Sequence, residues 1–213
     1  MHALPTDLDA LRQRVQGPLP GHAGFMALSG YQRPDMQAVL AQDPPPRSSA
    51  VLIALHPHAG ELHTLLMVRP EYDGVHAGQV GFPGGHREPE DADDAATALR
   101  EFREEMGTAV DGFNVLRVLT PVYIPPSRSL VTPVLAHVDA LGTLEPDPRE
   151  VAAVIHTPLA QLLRDDILKR TRVHVRTMGR EMQVPYWDVQ GHVVWGATAL
   201  MIAELRELFL RGR

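Results

Sequence analysis

Cysteine is absent from this chain of 213 residues, which excludes disulfides, thiol catalysis and cysteine–zinc sites. Missing too is any apolar run near the ~20 residues a helix needs to span a bilayer. The opening Met1-His2-Ala3-Leu4-Pro5-Thr6-Asp7 lacks the basic and then apolar blocks of a signal peptide, so a cytoplasmic location is the expectation. Positive charge is in short supply: 20 Lys and Arg face 26 Asp and Glu, for a net charge of −6 and a pI near 6.0. That balance argues against a nucleic-acid backbone as the main partner, and the 11 histidines offset it only at acidic pH. Neither a nucleic acid nor a membrane is therefore expected as a partner. Internal repeats and low-complexity tracts are also lacking.

What is present suffices for one domain with a sizeable core, since 44% of residues are hydrophobic. Residues 1–47 read as an N-terminal helical extension with a Pro-rich connector. Thr6 and Asp9 resemble a capping box, Leu8, Leu11 and Val15 give a short helix one buried face, and residues 35–41 suggest another. Gln42-Asp43-Pro44-Pro45-Pro46-Arg47 is the stiff connector. Residues 48–213 read as the main domain. Val51–Leu55 is a buried strand and His63–Val68 its partner; 79–82 is a short strand before a Pro83-Gly84-Gly85 turn. Further strands are expected at 114–122, 130–138, 150–156, 171–177 and 182–188. Leu159–Leu163 and Gly196–Leu210 read as helices. Strands separated by few helices imply a mixed sheet between helical layers. Whether the chain pairs as a homodimer is left open, as is the purpose of the extension.

The most informative segment is Arg100-Glu101-Phe102-Arg103-Glu104-Glu105-Met106-Gly107. On a helix, Glu101, Glu104 and Glu105 fall on one arc about 100° wide. Ala95, Ala98, Leu99, Phe102 and Met106 fall on another, which makes the helix amphipathic. The carboxylates sit in its last turns before Gly107, where negative charge opposes the helix dipole. Glu101 and Glu105, at i,i+4, also repel each other. Something must neutralise them, and a divalent metal ion is the simplest agent.

Gly85, an acidic loop and this segment together resemble the Nudix box, G-x5-E-x7-R-E-U-x-E-E-x-G-U with U a bulky apolar residue. Leu65-Leu66-Met67-Val68-Arg69, His76-Ala77-Gly78-Gln79-Val80-Gly81-Phe82-Pro83-Gly84-Gly85, Asp94–Glu101 and Trp195-Gly196-Ala197-Thr198-Ala199 narrow the resemblance to the coenzyme A diphosphatase branch of the Nudix hydrolases. Asp91 stands where the box has its first Glu, with eight rather than seven residues before Arg100, and Thr108 fills the last apolar position. The resemblance implies an α/β (α+β) fold, a Nudix-type α/β/α sandwich with a mixed β-sheet between helices. It also implies a metal-dependent hydrolase that cuts coenzyme A or its thioesters into 4′-phosphopantetheine (or its acyl form) and adenosine 3′,5′-bisphosphate.

The chemistry follows from charge. Diphosphate oxygens repel an attacking water; Mg²⁺ or Mn²⁺ on carboxylates neutralises them and lowers the pKa of a bound water. Glu101 and Glu105 can share one ion. Glu104 can hold a second or act as general base, with Arg100 orienting it at i,i+4; these two form the expected catalytic pair. Gly84 and Gly85 let the main chain approach metal and phosphates, and by resemblance the Gly85 carbonyl is a further ligand. Arg69, Gln79, Phe82 and Gly84 are the expected substrate contacts, with Arg69, Arg47 or Arg128 facing the 3′-phosphate. Alternatives are a Nudix hydrolase of another nucleoside diphosphate derivative and a non-catalytic nucleotide-binding Nudix module. Plainer readings hold elsewhere: His76 and His86 as structural or solvated, Trp187 and Trp195 as core or interface aromatics, Glu145–Glu150 as an acidic turn, and Pro125–Ser129 as substrate loop or connector.

Overall fold

The computed structural model describes residues 4, 7–29, 34–71, 76–175 and 179–211. Three short helices come first: α1 (Leu8–Arg14), α2 (Ala23–Ser29) and α3 (Met36–Leu40). The strands β1 (Arg47–His58), β2 (Glu61–Val68), β3 (Val80–Gly81) and β4 (Gly84–His86) lead into helix α4 (Asp94–Met106). Then follow β5 (Asn114–Val118), β6 (Val122–Ile124), β7 (Ser129–His137), β8 (Ala153–Pro158), α5 (Leu159–Leu162), β9 (Leu168–Val175), β10 (Arg180–Val189), β11 (His192–Val194) and α6 (Gly196–Leu210).

The main sheet has eight strands in the order β3-β2-β1-β7-β5, with β4 on β1, β6 on β7 and β8 on β2. It is mixed because β1 and β7 run parallel while the other pairs are antiparallel. Val51-Leu52-Ile53-Ala54-Leu55 is apolar at every position because the strand is covered on both faces. Leu52 and Ala54 pack with Phe102 and Met106 of α4, whereas Ile53 and Leu55 pack with Leu200, Leu205 and Phe209 of α6. Helix on sheet on helix is the architecture expected from the sequence. β9, β10 and β11 form a separate three-stranded antiparallel sheet, which hydrophobic patterning does not distinguish from further strands of the main one.

Several local expectations change. Asp7 caps α1, accepting the Ala10 N–H at 2.9 Å; Thr6 lies outside the described residues, as do 176 and 177 of the expected strand 171–177. The strand read at 114–122 is divided into β5 and β6, and Pro121, with no N–H to give a ladder, lies in the break. The strand expected at 150–156 begins at Ala153, since Asp147–Glu150 is a turn. Pro83-Gly84-Gly85 is not a free turn: Gly84 and Gly85 pair with Val51 and Ala50. α2 was not legible, with Gly24 in its first turn and a single buried anchor, Phe25, stacked 5.4 Å from Trp187. Leu11, Val15 and Phe25 belong to the same apolar cluster as α6, so the N-terminal helices finish that layer.

Candidate active site

α4 is built to hold its carboxylates against β4. Asp93 caps it, accepting from Ala96 N–H at 2.8 Å, and Ala98, Phe102 and Met106 fix its rotation by burying one stripe on β1. Gly107 ends it in the left-handed region at φ 58°. That rotation presents Glu101 and Glu105 to the two glycines. The Gly84 N–H donates to Glu105 Oε2 at 2.7 Å. A Cβ on Gly85 would fall 2.4 Å from Glu101 Oε2, and one on Gly84 would fall 2.2 Å from the Ala50 carbonyl. Glycine is required at both, at Gly85 for the carboxylate and at Gly84 for the sheet.

Glu105 does not face solvent, as an outward carboxylate stripe implies; it is 3% exposed. Burial pushes its carboxyl up to about 7, against the opposing pull of Arg69 and the Gly84 N–H, with Glu101 and Glu150 adding repulsion. Burial raises Glu101 as well, against Arg100. Arg69 lies 3.5 Å from Glu105 Oε1 and donates to the Gly84 carbonyl at 3.2 Å. Its guanidinium is thus engaged by the Glu105 carboxylate and the Gly84 peptide.

Arg100 is the hub of the acidic loop. It donates to both carboxylate oxygens of Asp91 at 3.1 and 3.0 Å, to the His86 carbonyl at 2.8 Å, and to Glu101 and Glu104 at 3.1 Å each. These bonds hold the Asp91 carboxyl well below the usual range. Asp91 also accepts the Glu88 N–H at 2.9 Å. The extra loop residue is thus absorbed by a clamp between loop and helix. Glu104 is turned onto Arg100 and is largely exposed.

A cleft of about 1610 Å³ opens over the glycines. Arg69, Gln79, Phe82, Gly84, Gly85, Glu101 and Glu105 line it; Arg100 and Glu104 do not. Phe82 reaches it from the core, at 2% exposure. The three box glutamates are therefore not gathered at one point, and no ready-made group of three metal-holding side chains exists among the described residues. Glu104 repels Glu101 alone, whereas Glu150 repels both Glu101 and Glu105. It lines the cleft because its turn is tied to the end of α4: Glu145 N–H donates to Met106 O at 3.0 Å and Asp147 N–H to Glu105 O at 3.3 Å. An acidic turn carries no sequence signal for that docking. Arg47 and Arg128 clamp the loop after β6 to the connector, through Ser127 O and Pro44 O. His86 is held by Ser49 Oγ at 2.7 Å and His76 by Gln79 Oε1 at 3.2 Å.

The donor set fits a hard divalent cation. Two carboxylates meet a glycine main chain, and burial of both negative charges costs free energy that a cation removes.

Comparison with known proteins agrees with this geometry. The NUDIX domain model matches residues 45–178. The human "Mitochondrial coenzyme A diphosphatase NUDT8" is 38% identical over 171 residues, covering 78% of this chain and 71% of that protein. The mouse "Peroxisomal coenzyme A diphosphatase NUDT7" is 36% identical over 124 residues, covering 58% and 52%. Among solved structures, a Nudix hydrolase from M. smegmatis, RenU, superposes with TM-score 0.52 at 19% identity over 76% of this chain and 85% of that one, a likeness of fold. A family model spanning from β1 into the second sheet, and a relative matched over most of its length, settle the kinship of the α4–β4 site: the chain belongs to the Nudix family.

Proposed function

We propose that the chain hydrolyses the diphosphate of coenzyme A or its thioesters, releasing 4′-phosphopantetheine (or its acyl form) and adenosine 3′,5′-bisphosphate. The observation that carries the hydrolase reading is the meeting of Glu101 and Glu105 on Gly84-Gly85 at the wall of the cleft. The named activity of the human and mouse relatives supports the choice of coenzyme A. Glu101, Glu105 and the Gly85 carbonyl would hold Mg²⁺ or Mn²⁺, which supplies charge neutralisation for the diphosphate. Arg69 screens Glu105 and fixes the Gly84 peptide. Arg100 is a positioning residue that sets the loop against the helix.

Two carboxylates compete for the base. Glu104 is held by Arg100, whereas Glu150 lines the cleft with no side-chain hydrogen bond among the described residues. Glu104→Gln and Glu150→Gln compared under single-turnover conditions separate them, the base being the one whose loss removes the pH dependence. For the 3′-phosphate, Arg172 is the fitting cation: it lines the cleft on β9 and its guanidinium has no partner among the described residues.

Purified protein with Mg²⁺ or Mn²⁺ should convert coenzyme A into the two products, identified by mass. No turnover with either ion rejects the reading. Faster cleavage of NADH, ADP-ribose or a dinucleoside polyphosphate in the same panel would shift the assignment to another nucleoside diphosphate derivative. Arg172→Ala should raise KM for coenzyme A and leave that for its 3′-dephospho form unchanged. A cytoplasmic setting belongs to the proposal as well. The relatives' names place them in mitochondria and peroxisomes, and fractionation of the native cell decides the compartment.

A further inference from the structure

Far from the carboxylates, four histidines gather on one face of the main sheet. His56 and His58 are two apart on β1 and share a face, and His63 on β2 lies directly opposite His56. His156 on β8 lies opposite Leu65, two residues from His63 and on the same side. This face continues the Leu52–Ala54 row beneath α4. The ring centres lie 5.0 Å apart for His58–His63, 5.7 Å for His58–His156, 6.0 Å for His56–His63, and 6.2 Å for both His56–His58 and His56–His156. Imidazoles bound tetrahedrally to one Zn²⁺ through nitrogens near 2 Å place their ring centres about 5 Å apart.

The inner pair carries a second signal. His56 is 3% exposed and His63 8%. His56 Nδ1 sits 3.3 Å from the Pro57 carbonyl, which makes it the N–H donor and leaves Nε2 with a free lone pair. That Nε2, like Nδ1 of His63, is buried with no hydrogen-bond partner among the described residues. Buried polar atoms are rarely left so, and a ligating histidine typically gives its other N–H to a carbonyl.

We propose that His56, His58, His63 and His156 form a binding site for a Zn²⁺-class transition-metal ion, separate from the carboxylate centre. Imidazole selects such ions, whereas carboxylate and carbonyl oxygen select Mg²⁺ and Mn²⁺. Val51, the partner of Gly84, is five residues from His56 on the same strand, which separates the two sites by roughly 17 Å. The donors as placed do not already form a metal polyhedron; closing on an ion takes rotation of the exposed His58 and His156 rings. Bound there, the ion staples the β1–β2 hairpin to β8. This inference is independent of the hydrolase reading.

The test uses untagged full-length protein stripped with a chelator and titrated with Co²⁺ alone as probe. The expected result is that one equivalent of Co²⁺ gives the strong visible absorption of a four-coordinate nitrogen site, displaced by Zn²⁺, while any Co²⁺ on the carboxylate oxygens absorbs only weakly. The band should vanish in His58→Ala/His156→Ala, whose changes are at exposed positions and whose Mg²⁺-dependent turnover should be unchanged. It should persist in Glu101→Gln/Glu105→Gln. Absence of the band from wild type, its survival in the histidine double variant, or its loss in the glutamate double variant overturns the proposal.

Discussion

Glu105 occupies a position where a buried negative charge is held by one N–H, one guanidinium and whatever cation the cleft admits. Its carboxyl, pushed up to about 7, shows the cost of burial without that cation. Glu105→Gln keeps the size and the acceptor for the Gly84 N–H and removes the charge. Activity should fall by more than about 100-fold, beyond the loss seen for groups that merely support a ligand. Thermal stability should hold or rise, because a buried charge is gone; a melt several degrees lower would show that the charge is structural. His137 is the converse case, a buried ring with neither nitrogen hydrogen-bonded among the described residues. Burial lowers its pKa from 6.5, opposed by Asp139 at 4.0 Å, an exposed carboxylate on the segment after β7. The unfolded chain therefore takes up a proton near pH 6.5 that the folded chain refuses until lower pH. Its contribution to stability is complete above about pH 6.5 and declines as pH falls through that value. Urea melts from pH 7.5 to 4.5 should show His137→Gln with a flatter acid limb than wild type; superimposable limbs would remove His137 from the account.

At the scale of an element, α4 was legible almost residue by residue. Its buried stripe, its glycine stop and its carboxylate crowding all follow from a 3.6-residue period read along one segment. What the helix touches was not legible. A Cβ on Gly107 would fall 1.8 Å from the Glu145 carbonyl, so the stop signal is also the floor on which the 145–150 turn rests. Gly107→Ala combines left-handed strain with that clash. It should cost more than about 1 kcal/mol by chemical denaturation, above the ordinary price of Ala at positive φ. It should also lower activity by displacing Glu150, and measuring kcat/KM beside stability separates the two effects. If stability drops while kcat/KM is untouched, Glu150 has no part in the chemistry.

For the whole molecule, the N-terminal helices decide more than their weak sequence signal suggests. Leu11 and Val15 are fully buried, and the Gly21 N–H reaches Glu204 of α6 at 3.0 Å. Arg117 of β5 reaches back to the carbonyls of Val15 and Gly17. The layer over the α6 face is therefore shared between the two ends of the chain. Leu11→Ala should destabilise the whole protein by about 2–5 kcal/mol in a single cooperative transition, as for a core leucine. A change under half a kcal/mol, or a separate early transition, would mean that the extension folds apart from the rest.

Local order along the chain determined the elements and the family. The all-apolar β1, the amphipathic α4, the helix over 196–210 and the spaced glycine–glutamate signature are written in short periods, and their meaning survives without the third dimension. Tertiary structure alone decided which carboxylates meet. Glu104 and Glu105 are adjacent in the chain, yet one is turned onto Arg100 and the other buried on Gly84. Glu150 reaches the carboxylate pair, and His156 reaches the histidines of the β1–β2 hairpin, only because distant turns and strands dock side by side. Contacts of that kind depend on register and packing between segments far apart in the chain, and no periodicity within one segment encodes them.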